Sequence, residues 1–171
     1  RPDMLAVYSP PDIEGTNRPL QAKLGGAGLG LVALLSVEQI EPGSIPLEEL
    51  RALGRFVLFM QKPDGSFFAD YYPDARGRDP DAISLYYPGE AALGLLMLYE
   101  KDPQSDWLHA AARAIAYLAR SRRGAAQVEA DHWALLATAR LWPLRDECSP
   151  PLPPETLQRH AVQICRQILD T

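Results

Sequence analysis

Glu90 and Asp131 stand at similar positions near the starts of two apolar segments, and His132 and Trp133 follow Asp131 directly. Two carboxylates that face one cavity can divide acid and base roles when their surroundings differ, as glycoside chemistry requires. An imidazole beside a carboxylate can act as a general base or hydrogen-bond a sugar, although adjacent helical residues point in different directions. Glu90, Asp131 and His132 are therefore the candidate catalytic residues. The connection over residues 62–87 is dense in rings, with Phe67, Phe68, Tyr71, Tyr72, Tyr86 and Tyr87. Such rings stack on sugar faces or line a cavity, and they also serve as plugs beneath a loop. Asp64, Phe67, Tyr71, Tyr72, Tyr86, Tyr87 and, beyond the connection, Trp133 are the candidate ligand-binding residues. The plain alternative for Glu90 and Asp131 is that a helix dipole favours an acid in the first turn without any chemistry.

Helices must position these groups. The 16 prolines punctuate periodic segments that predict helices over roughly 19–39, 46–61, 88–101, 104–122, 128–142 and 154–169, with ends uncertain by a few residues. No strand alternation of comparable length competes. Helices two, four and six are amphipathic: Trp107, Ala111, Ala114, Ile115 and Leu118 form one stripe, and Leu157, Ala161, Ile164, Cys165 and Ile168 another. Helices one, three and five are apolar nearly all round, so they need cover on several sides. This alternation predicts inner and outer layers of stacked helical hairpins over about 19–61, 88–122 and 128–169, after an extended segment over 1–18, in a single all-α domain. GGAGLGL at residues 25–31 aligns with GEAALGL at 89–95, and a looser copy begins near Asp131. Weak self-similarity of this kind is expected of repeated hairpins.

The run RALGRFVLFMQKPDGSF at residues 51–67 resembles the repeat of α/α toroids, with a helix ending in Gln61 and a loop carrying Asp64, Gly65 and Ser66 before an aromatic. It departs from the cyclase form of that repeat at Val57, where an aromatic or Leu is usual, and at Phe67, which replaces Trp. The segment YYPGEAALGLLMLYE at 86–100, followed by WLHAAA at 107–112, is similar in style to sugar epimerases and hydrolases of the six-hairpin type. The resemblance implies part of an α/α toroid, the architecture shared by six-hairpin carbohydrate enzymes, triterpene cyclases and protein prenyltransferases. It implies architecture more strongly than activity. Three hairpins make an arc of such a ring, so further hairpins from a longer chain, or self-association, are expected partners.

A net charge of -5 and a pI near 5.2 argue against nucleic acid, which is bound through clustered Lys and Arg. Arg120, Arg122 and Arg123 read as cations at the negative end of a helix. The apolar run over residues 24–35 falls short of the ~20 needed to cross a bilayer. Cys148 and Cys165 leave the redox compartment open. Neither a metal nor another cofactor is expected: Cys148, His160 and Cys165 lack a C-x-x-C anchor, and the glycines at 25–30 miss the dinucleotide spacing and follow no strand. DPDA at residues 79–82 resembles the acidic motif of proton-initiated terpene cyclases but ends in Ala82 rather than an acid, and Asp79 and Asp81 read as a solvated turn. The leading expectation is a carbohydrate-active hydrolase, lyase or epimerase, with a saccharide or other small molecule at the N-terminal ends of the inner helices. A non-catalytic helical binding scaffold is the alternative, and an isoprenoid cyclase or prenyltransferase-like protein ranks third.

Overall fold

The computed structural model of the chain describes residues 3–14, 19–74 and 76–170. It is mostly helical with a small antiparallel sheet. In chain order the helices are α1 (Pro11–Glu14), α2 (Leu24–Ile40), α3 (Leu47–Met60), α4 (Tyr87–Lys101), α5 (Ser105–Ser121), α6 (His132–Leu141) and α7 (Pro154–Leu169). Helix α2 lies against α4 and α4 against α6, while α5 touches both α3 and α7; α3 packs on α2, and α7 on α6. Helix α4 is therefore flanked on several sides, and every residue from Gly89 to Leu98 is buried. Complete burial of each of its leucines stabilises the fold by about 1.5–3 kcal/mol.

Small residues set the spacing of α2, α4 and α6. A Cβ on Gly28 would stand 2.8 Å from the Ala91 nitrogen, and one on Gly89 would stand 2.5 Å from the Ala134 nitrogen. Backbones that close leave no room for a methyl group. At the opposite end of the helices, buried carboxylates fix the short connections. Glu38 accepts hydrogen bonds from the Gly43 nitrogen (2.8 Å), the Ile45 nitrogen (3.1 Å) and Lys101 (2.8 Å). These bonds hold its carboxyl down at about 2. Gly43 takes a φ of 88°, which closes the turn after α2. Asp102 accepts both arms of Arg51, at 3.0 and 2.8 Å, and the Trp107 indole N–H at 3.2 Å.

The sheet corrects three expectations. Its strands β1 (Tyr8–Ser9), β2 (Gln21–Lys23), β3 (Asp70–Tyr72) and β4 (Gly77–Arg78) pair antiparallel in that order. Ala22 stands opposite both Tyr8 and Tyr71, and Tyr71 opposite Arg78. The first long helix thus starts at Leu24 rather than near residue 19, and the Leu24 nitrogen donates to the Ala69 carbonyl at 2.8 Å. The connection over 62–87 is partly strand. The described part of the first 18 residues holds β1 and α1 as well as extended chain; residues 1, 2 and 15–18 of that expectation lie outside the described residues. Strands of two or three residues are too short to show alternation, which is why the sequence concealed them. Among the described residues no helix is long and apolar enough to cross a membrane.

Candidate functional site

The N-terminal ends of α2, α4 and α6 meet at one rim. Helix α4 begins with Pro88 in its first turn, where a missing N–H costs no helical bond, and the Tyr87 nitrogen donates to Ser84 Oγ at 3.3 Å. Glu90 follows, its own nitrogen bonded to the Tyr86 carbonyl. The residue is only 5% exposed, and Oε2 is buried with no hydrogen-bond partner. Gly25 of α2 lies opposite. A Cβ there would overlap the Tyr87 ring and stand 2.6 Å from Glu90 Oε2, so a side chain at 25 would fill the place the carboxyl occupies. Burial pushes the Glu90 carboxyl above its usual range; the charge of Asp131 pushes the same way and His132 opposes. Among the described residues the other buried carboxylates, Glu38, Asp102 and Asp131, are all hydrogen-bonded. An unpartnered buried acid is costly to keep, which makes Glu90 the exception that needs explaining.

Asp131 is fully buried and spends both oxygens on the protein. It caps α6, with Oδ1 accepting from the Ala134 nitrogen at 3.0 Å, while Oδ2 accepts from Arg122 Nη2 at 2.6 Å. Arg122 Nη1 lies 3.2 Å from His160 Nε2, and His160 Nδ1 lies 3.3 Å from Thr138 Oγ1. The Thr138 hydroxyl donates to the Ala134 carbonyl at 2.7 Å. That assigns the imidazole tautomer: with its proton spent on Ala134, the hydroxyl must accept from Nδ1–H, which leaves Nε2 to accept from Arg122. Burial, with Arg122 and Arg159 adding to it, drives the His160 pKa down to about 4, in keeping with a neutral ring. The bonds close a ring from Ala134 through Asp131, Arg122, His160 and Thr138 back to Ala134. Arg122 stands at the C-terminal end of α5, as expected of a helix-end cation, but it is buried there. It is 7% exposed because the chain turns at Gly124 (φ 78°) and brings Asp131 back against it.

A row of rings crosses the same rim. The Tyr86 and His132 rings are 6.4 Å apart and inclined at 40°, and those of His132 and Trp133 are 4.6 Å apart and inclined at 42°. Tyr86 and His132 are exposed and Trp133 is half-buried. A groove of about 330 Å³, lined by Ile83, Leu85, Pro88, Arg122 and Glu129 among others, lies near the start of α4. Glu90, Asp131, His132, Tyr86, Tyr87 and Trp133 are thus brought to the ends of α4 and α6.

Comparisons with protein-family models, with curated proteins and with solved structures find no match.

The other candidate residues each have contacts of their own within the protein. Asp64 binds the Ser66 nitrogen (2.9 Å) and hydroxyl (2.7 Å) in a turn held against α5, where Arg120 donates to the Asp64 carbonyl at 2.9 Å. Phe67 is buried in the core and bridges to Gln61. Tyr71 packs edge-on against Phe56 and Phe59, at 6.0 and 5.7 Å. The Tyr72 ring is covered by the Arg76 guanidinium at 3.9 Å. Asp79 accepts from the Asp81 and Ala82 nitrogens, as a turn residue does. Cys148 is buried, its thiol pushed up to about 11 chiefly by burial and donating to the Leu144 carbonyl. Arg122 and Thr138 are the residues that sequence reasoning missed at this site. His160 carried a signal, since it lies three residues after Leu157 and four before Ile164 on the buried face of α7.

Proposed function

We propose that the chain is an arc of an α/α toroid whose inner-helix rim binds a saccharide and transfers protons on it, with Glu90 as the acid. The carrying observation is that Glu90 is buried with its Oε2 unpartnered beside a row of partly exposed rings. A carboxyl whose pKa is raised by burial holds its proton to higher pH, which suits it to donate a hydrogen bond or a proton to a ligand oxygen. The rings of Tyr86, His132 and Trp133 offer faces to a sugar. Asp131 has no free oxygen for a second carboxylate role. His132, exposed at the head of α6, is the available base, and this pairing suits a lyase or epimerase better than a two-carboxylate hydrolase. The succession of α2, α4 and α6, with α3, α5 and α7 beside them, supports the toroid reading. Partly exposed Leu29 and Val37 on α2, and Leu136 and Val162 on α6 and α7, support further hairpins or a second copy along these edges.

The test is a panel of mono-, oligo- and uronic saccharides, assayed for binding by calorimetry and for turnover by NMR, with wild type, Glu90→Gln and His132→Ala. Binding should survive in Glu90→Gln while turnover falls at least about 100-fold, as loss of a general acid predicts. Undiminished turnover in Glu90→Gln would remove the acid from the chemistry. The engagement of both Asp131 oxygens favours one further reading, a saccharide-binding module without catalysis. Binding without turnover in wild type would establish it.

A further inference from the structure

We propose that Arg122 is a positioning residue of the Glu90 site: it clamps Asp131, and with it the first turn of α6, against the head of α4, and neutralises the carboxylate that lies there. The inference uses the Glu90 site described above, but its test needs no ligand and stands apart from the saccharide reading.

The geometry carries it. Arg122 follows the last turn of α5, its guanidinium is buried, and two of its nitrogens are committed, Nη2 to Asp131 at 2.6 Å and Nη1 to His160 at 3.2 Å. Its carbonyl accepts from Gln163 Nε2 of α7 at 3.1 Å. The residue therefore ties the end of α5 to the start of α6 and the middle of α7. Asp131 reaches α4 as well, since a Cβ on Gly89, one residue before Glu90, would stand 3.0 Å from its Oδ1. An unneutralised carboxylate there would oppose ionisation of Glu90, because two like charges at one site cannot both be cheaply desolvated. The groups that bear on the arrangement are Asp131 and His132 from α6, Arg122 and Glu129 from the segment after α5, His160 and Arg159 from α7, and Tyr87 from α4 itself. His160 is neutral, so the arginine faces a single anion at hydrogen-bonding distance, with Glu129 at 4.0 Å.

Opposite changes at the two ends of the ion pair should move Glu90 in opposite directions. Removing the cation leaves Asp131 charged and uncompensated; removing the anion leaves Arg122 uncompensated. The experiment is a carbon-13 NMR titration of side-chain carboxyls in the full chain labelled at glutamate, with the Glu90 resonance assigned from Glu90→Gln. Asp131→Asn, which keeps a side-chain oxygen for the α6 cap, should lower the apparent Glu90 pKa by about one unit. Arg122→Met should raise it by a similar amount, and Arg122→Lys, able to pair with Asp131 but not to span Asp131 and His160 as a fork, should restore part of the shift. Circular dichroism checks each fold; if Arg122→Met does not fold, Asp131→Asn and Arg122→Lys decide the matter. A Glu90 titration unmoved by Asp131→Asn, or shifted the same way by both changes, overturns the proposal. Wild type that binds no saccharide, with the paired shifts intact, would count against the proposed function alone.

Discussion

At the scale of the residue, what separates Glu90 from its neighbours is the absence of a partner among groups that otherwise find one. Glu38, Asp102 and Asp131 each anchor a helix end through several hydrogen bonds, and each would be missed as a structural bond. Glu90 anchors nothing, so Glu90→Gln should stabilise the protein. Sign follows from the raised pKa: the folded state holds the proton more tightly, so the contribution of the wild-type side chain is greatest at low pH and is lost as pH rises from about 4.5 through the folded-state value. Thermal unfolding should show Glu90→Gln ahead by roughly 1 kcal/mol at pH 7 and the two proteins converging at pH 4. A variant less stable than wild type at pH 7 would mean that Glu90 is structural after all.

At the scale of the element, glycine position decides whether α2 can lie on α4. Gly28 sits at the crossing, where an added Cβ meets the Ala91 nitrogen and the Glu90 carbonyl carbon at 2.8 Å; Gly30 has only a Val7 side-chain carbon at 3.6 Å. Gly28→Ala should therefore cost about 1–3 kcal/mol by forcing the helices apart, whereas Gly30→Ala should gain up to about 1 kcal/mol from helix propensity. Chemical denaturation of the two variants checks the contrast, and equal effects would contradict the crossing described. The same helices show what the sequence can tell. Unbroken apolarity in α4 announced its burial, the stripes of α5 and α7 announced their half-buried faces, and the places of Glu90, Asp131 and His132 at helix starts were legible because those starts can be counted from Pro88 and from the apolar run after Trp133. The strands could not be read, because pairings such as Ala22 with Tyr71 join residues far apart in short runs. Nor could Tyr71 and Phe67 be told from ligand-facing rings, since a ring that plugs a core and one that lines a pocket have the same letter. Arg122 was hidden for a related reason: its neighbours Arg120 and Arg123 are exposed, and only the turn at Gly124 sends it inward.

At the scale of the whole molecule, His160 links acid stability to the packing of α7. Its folded pKa of about 4 lies below the unfolded value of 6.5, so the unfolded chain takes up the proton first as pH falls. Stability should decline between about pH 6.5 and pH 4, by up to about 3 kcal/mol from this group. Glu90 opposes the trend, so the measurement to make is the difference between wild type and His160→Asn. Their unfolding free energies should draw together as pH falls through that window, and a constant difference would show that His160 does not carry the loss. The ring through Ala134, Asp131, Arg122, His160 and Thr138 also has a consequence in time. A ribosome delivers Glu90, Arg122, Asp131 and His132 in that order, and delivers His160 last of all. A nascent chain that has released α6 but not α7 holds every proposed reacting group yet leaves Arg122 without one of its two anchors, so the rim acquires its final geometry only when the seventh helix emerges and docks.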